Sequence, residues 1–135
     1  MNTQDHNLNM SRILTEYNIR PTTIRKNIAG LLFDGTDRHV SVDDVIEMAH
    51  AANVKTSVAS VYNTLNRFAL AGLLRRVSVD LGRMFFDTNL SEHHHFYYEN
   101  EGRLEDIPHG LIKVSGLPKL PKGRAVKSIN VMVWL

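Results

Sequence analysis

Residues 56–86 read TSVASVYNTLNRFALAGLLRRVSVDLGRMFF, and their pattern changes period partway along. Thr56 or Ser57 can cap a helix that runs to about Ala71, with Gly72 as its C-terminal stop. At ~100° per residue, Val58, Val61, Leu65, Phe68 and Ala69 share one face, and Ala59, Ser60, Asn63 and Arg67 lie opposite. Leu73 to Val79 is then β-branched and apolar, Asp80-Leu81-Gly82 forms a turn, and Arg83 to Phe86 returns as a second strand. A helix that feeds a two-stranded hairpin is the second half of a winged helix-turn-helix, whose last helix enters the major groove. Asn63 suits adenine and Ala59 a thymine methyl. The same small polar face also suits a helix that merely faces water.

Upstream, residues 22–33 form a helix, with Ile24, Ile28, Leu31 and Leu32 on one stripe and Thr22 as cap. A shorter apolar helix precedes it from Leu8 to Tyr17. Ser41 opens another, with Asp44 completing a capping box and Val45, Ile46, Met48 and Ala49 as its apolar residues; it fades at Ala52-Asn53. Downstream, Asn89 to Glu92 is a polar linker. Strands follow at His93 to Glu99, Arg103 to Ile107 and Val126 to Leu135. Pro108 to Gly123 holds three prolines and three glycines, which leaves room for a short helix at most. The fold class is α+β: a winged helix-turn-helix domain over residues 1–88, then a small α+β dimerisation domain over 93–135. The last strand is long and apolar in a domain too small to bury it alone, so a twofold homodimer on an inverted-repeat DNA site is expected.

The bulk properties narrow the class. A chain of 135 residues, 43% hydrophobic and 22% charged, has the composition of a globular protein. It has no run of ~20 apolar residues for a membrane span and no apolar leader near Met1, so a cytoplasmic location is expected. The absence of cysteine excludes disulfides, thiolate zinc sites and thiol nucleophiles. The net charge of +2 is small, and residues 1–92 carry ten Lys/Arg against ten Asp/Glu. Any basic patch is therefore local, with Arg20, Arg25 and Lys26 its obvious members.

Three consecutive histidines, His93-His94-His95, open the second domain. On a strand, His93 and His95 point one way and His94 the other. An H-x-H pair offers two imidazoles to a divalent metal, provided carboxylates lie nearby. A histidine cluster with no role is the competing reading.

The pieces IRPTTIRK, RHVSVDDVIEMA, TSVASVYNTLNRFALAGLL and MFFDTNLSEHHHFYYENEGRLEDIP together resemble the ferric uptake regulator (Fur) family of winged-helix metalloregulators. Asn63, the Phe86-Asp87-Thr88-Asn89 segment and a histidine triplet without following cysteines are most similar to its iron response regulator branch. The resemblance implies a regulatory site of His39, Asp87, His93, His95 and Asp106, suited to Fe2+, Mn2+ or Zn2+. It also implies DNA contacts from Arg20, Ser57, Ala59, Ser60, Tyr62 and Asn63. The family's Cys-x-x-Cys zinc clip would fall on Tyr98 and Glu101, so that clip is missing. A Cys-Pro heme motif is likewise impossible, which leaves His93, His94 and His95 as the heme site that the branch implies.

These features imply a regulator of iron and heme genes, not an enzyme, that binds double-stranded operator DNA under control of heme or iron. The alternative within the class is direct sensing of Fe2+, Mn2+ or Zn2+. From a different class, a small His/carboxylate metalloenzyme would have ligands that straddle two domains, and no helical lid or pocket-lining Gly-rich loop is evident in the sequence. A metal-free winged-helix module for protein contacts is the remaining reading.

Overall fold

The computed structural model describes residues 3–80 and 82–135; Leu81 of the expected turn, and Met1 and Asn2, lie outside the described residues. The chain divides into two compact units, Met1–Leu90 and Ser91–Leu135.

The first unit contains α1 (Thr3–Glu16), α2 (Thr23–Leu32), β1 (His39–Val40), α3 (Val42–Ala51), α4 (Val58–Leu70), β2 (Arg75–Ser78) and β3 (Met84–Asp87). Helix α1 begins five residues earlier than its apolar stretch indicated, and every described helix belongs to this unit. The caps follow local chemistry. Thr22 and Ser57 each accept an N–H three residues on, and Ser41 and Asp44 exchange both bonds of a capping box. Gly72 takes a φ of 84° just past α4, a left-handed conformation that ends the helix cheaply only with glycine. Ser41→Ala should remove one reciprocal pair and lower this unit's stability by ~0.5–2 kcal/mol, read as a fall in its denaturant midpoint. An unchanged midpoint would show that the box carries no weight.

Leu14, Ile19, Ile28, Leu32, Val45, Val61, Leu65 and Phe68 form the fully buried centre, closed on one side by Phe86 of β3. One expected core residue is misplaced. Val58, assigned to the same stripe as Val61, is 62% exposed, because burial along α4 starts a turn later. Arg67, expected to face outward, is half-buried and donates to the Asn18 carbonyl at 2.9 Å.

The sheet order is β1-β3-β2, all antiparallel. Strand β1 is new to the structure. It sets His39 opposite Asp87, and the Arg38–Thr88 pair extends the ladder beyond them: Arg38 N–H donates to Thr88 Oγ1 at 2.9 Å and Thr88 N–H to Arg38 O at 3.0 Å.

The second unit is a three-stranded sheet ordered β5-β4-β6, from β4 (His94–Tyr98), β5 (Arg103–Ile107) and β6 (Met132–Trp134). Strand β4 runs antiparallel to β5 and parallel to β6. The final strand expected from Val126 to Leu135 shortens to three residues, and residues 112–131 contain no helix or strand. Apolar composition favours a strand there, but only the length that β4 can pair becomes one. Fully buried Tyr97 meets Trp134 edge-on, with ring centroids 5.0 Å apart. At the turn, where the resemblance placed a zinc clip, the Arg103 guanidinium lies 3.7 Å over the Tyr98 ring and pairs with Glu101.

Candidate metal centre and nucleic-acid interface

In the second unit, strand register decides which acid meets the histidines. His95 is paired with Asp106 across β4 and β5, so both side chains leave the same sheet face. His93 lies one residue before β4 and turns the same way; it and His95 are buried, whereas His94 is half-buried on the other face. His93 Nε2 is 2.8 Å and His95 Nε2 3.4 Å from Asp106 Oδ1. The donor atoms of these three residues lie within 4.8 Å of one another.

The protons on His93 follow from its partners. Nδ1 is 2.7 Å from the Ser91 carbonyl oxygen, which can only accept, so Nδ1 carries a hydrogen. In a neutral ring Nε2 then presents a lone pair to the Asp106 carboxylate. Two acceptors 2.8 Å apart repel unless a proton or a metal ion joins them. Ligand atoms ~2.1 Å from one ion and at right angles to each other stand ~3.0 Å apart. The observed spacings bracket that value. A ligating imidazole that donates its other N–H to a backbone carbonyl is also the usual second-shell arrangement of metal-bound histidine. The residues present therefore fit a divalent ion.

The first unit holds a smaller pair of the same kind. His39 Nε2 is 3.2 Å from Asp87 Oδ2, and Asp87 is fully buried at the end of β3. The Asn89 N–H donates to Asp87 Oδ1 at 2.8 Å and holds the carboxylate in place. A carboxylate so far from water requires partners of this sort. Sequence reading did not find Ser91 or Thr88, which orient His93 and the His39 strand. Both lie inside the quoted family segment, but neither has a ligand side chain, and each acts through a bond that exists only after folding.

His94, expected as a heme ligand, already holds a backbone group. Its Nδ1 accepts the Val131 N–H at 3.0 Å, so in the neutral ring Nε2 carries the proton and no lone pair remains for iron. It does line a cavity of about 430 Å³ beside His109, Ile107, Ile112, Val126 and Ile129. His93 also lines that cavity, while its Nε2 and that of His95 are turned to Asp106.

On α4, Ala59, Tyr62 and Asn63 are exposed and Ser60 is half-buried. The Ser57 hydroxyl caps the helix, accepting from the Ser60 N–H at 3.1 Å and donating to Ser60 Oγ at 3.0 Å. Arg20 is exposed just before α2, and its carbonyl accepts from Arg25 Nη1, which fixes the second arginine of that local cluster. Among the described residues, no helix is long and apolar enough to cross a membrane.

The sequence model of the ferric uptake regulator family matches residues 16–133. A ferric uptake regulation protein of Bordetella parapertussis is 33% identical over 81 residues, which is 60% of this chain and 58% of that protein. The chain spans about three fifths of the length of the curated relatives it matches. Among solved structures, the ferric uptake regulator of Pseudomonas aeruginosa with manganese superposes with a TM-score of 0.69 at 20% identity, covering 93% of this chain and 96% of that one. The Vibrio cholerae ferric uptake regulator reaches 0.72 at 15% identity, covering 92% and 96%.

Proposed function

The chain belongs to the ferric uptake regulator family, and we propose that it is a metal-responsive transcription regulator rather than an enzyme. In this reading residues 1–90 are a winged helix-turn-helix that binds operator DNA, and residues 91–135 sense the ion and form a homodimer on an inverted repeat. One observation carries the sensing role: the His93 and His95 Nε2 atoms converge on Asp106 Oδ1 while His93 Nδ1 is already committed to Ser91. The sequence resemblance adds His39 and Asp87 as the remaining ligands. The Pseudomonas aeruginosa relative was solved with manganese, a borderline-hard ion that suits such nitrogen and oxygen donors.

Footprinting on genomic DNA with no ligand, with Mn2+ and with heme tests this directly. Protection of paired half-sites that depends on Mn2+ is the expected result, and metal-indifferent binding would remove the sensing role. Arg20, Ser57, Ala59, Ser60, Tyr62 and Asn63 form the DNA face. Asn63→Ala should lose ~1–3 kcal/mol and relax the sequence preference at one base pair of each half-site. Unchanged affinity and preference, measured by competition binding, would remove Asn63 from the readout.

A second reading assigns the chain to the iron response regulator branch, with heme as the effector. The cavity beside His94 favours it, because His93, His94 and His109 line it together with Ile107, Ile112, Val126 and Ile129, and imidazoles beside aliphatic side chains suit axial ligation and a macrocycle. Iron at His94 would first require release of the Val131 bond. Heme titration by absorbance separates the readings: loss of the bound spectrum in His94→Ala, with metal binding kept, supports heme there, and no heme binding by the intact chain leaves the metal reading alone.

A further inference from the structure

The first turn of α4 presents an unexplained apolar surface. Val58 is its first residue and is 62% exposed, although helical period aligns it with buried Val61, Leu65 and Phe68. Ala59 beside it is exposed, and one turn on Tyr62 is 48% exposed. The neighbouring hydroxyl is already engaged: Ser57 spends its proton and a lone pair on Ser60. A single exposed valine is ordinary on a protein surface. This one is continuous with the proposed DNA face, at the end of the helix that in a helix-turn-helix meets base edges through its N-terminal residues.

An isopropyl group can make no hydrogen bond, so its choice of partner on the groove floor is narrow. The floor of the major groove presents donors and acceptors at every base pair and one apolar group, the C5-methyl of thymine. We propose that Val58 reads a thymine methyl in each half-site and is a specificity-determining residue beside Asn63. This rests on the DNA-binding reading above. Val58 would discriminate thymine from cytosine, which lacks the methyl and carries an amino donor where thymine has O4.

The test uses the full chain and duplexes that it enriches from a random pool in Mn2+. Each thymine of a half-site is replaced in turn by deoxyuridine, which deletes the methyl and keeps every hydrogen-bonding group. One replacement should weaken binding by about fourfold, the equivalent of one buried methyl. Val58→Ala should weaken binding to the thymine duplex by a similar factor and be indifferent to uracil at that one position. At the other thymines it should respond to uracil as the parent does. Because Val58 lies outside the core, the variant should keep the parent's melting temperature, and a circular dichroism melt checks this. Uracil sensitivity that is the same in Val58→Ala and the parent at every position overturns the proposal. Failure of the parent to enrich any sequence would instead strike the DNA-binding reading, and this proposal with it.

Discussion

Asp106→Asn is expected to weaken divalent-metal binding by more than ~100-fold, beyond what loss of an outer-shell partner costs. The substitution preserves side-chain shape and removes one negative charge. It strikes the point on which both histidines converge, since His93 and His95 share Oδ1 of this carboxylate. The Asp106 side chain is 31% exposed and outside the buried apolar set, so the sheet should survive. Titration calorimetry with Mn2+ and with Zn2+ measures the loss, and circular dichroism checks the fold. His94→Ala is the matched control. Its ring leaves the opposite face of β4 and holds the Val131 N–H, so its removal should cost ~1 kcal/mol of stability and leave the metal affinity nearly intact. Retained affinity in Asp106→Asn, or equal losses in the two variants, would show that the ion is not held at Asp106.

What the sequence disclosed depended on how far apart the cooperating residues lie. The caps at Thr22, Ser41 and Ser57 are chemistry between residues three apart, and they were legible. Alternation assigned His93 and His95 to one face and His94 to the other, because period 2 is intrinsic to a strand. That Asp106 stands opposite His95 followed from register, which the short Glu99–Gly102 turn sets. Strand β1 escaped notice because two residues show no period; it exists only because β3 offers an edge. Val58 was misassigned because a helical wheel gives direction but not how far the neighbouring elements reach along the axis. The bond that His94 accepts from Val131, 37 residues away, is one that no local pattern encodes.

Tyr97→Ala should unfold the second unit while the first remains folded. Large aromatic truncations in a core cost ~3–5 kcal/mol. Tyr97 is fully buried on the middle strand, paired with Leu104 of β5 on one side and Trp134 of β6 on the other, so all three strands lose packing together. Residues 91–135 bury few other large apolar groups, chiefly Leu104 and Ile107. A body of that size rarely holds more than a few kcal/mol in reserve. The metal ligands would remain in the sequence, but His95, two residues before Tyr97 on the same face, would lose the strand that aims it. Trp134 is the only tryptophan in the chain, so its emission reports on this unit alone. The expected result is emission like that of urea-unfolded protein, loss of metal binding, and a far-ultraviolet helical signal close to the parent's, since the described helices all lie in residues 1–90. Tyr97→Phe, which keeps the ring, should retain the parent's emission and metal affinity. A Tyr97→Ala protein whose Trp134 emission unfolds at the parent's urea midpoint would show that the packing around this ring does not hold the sheet.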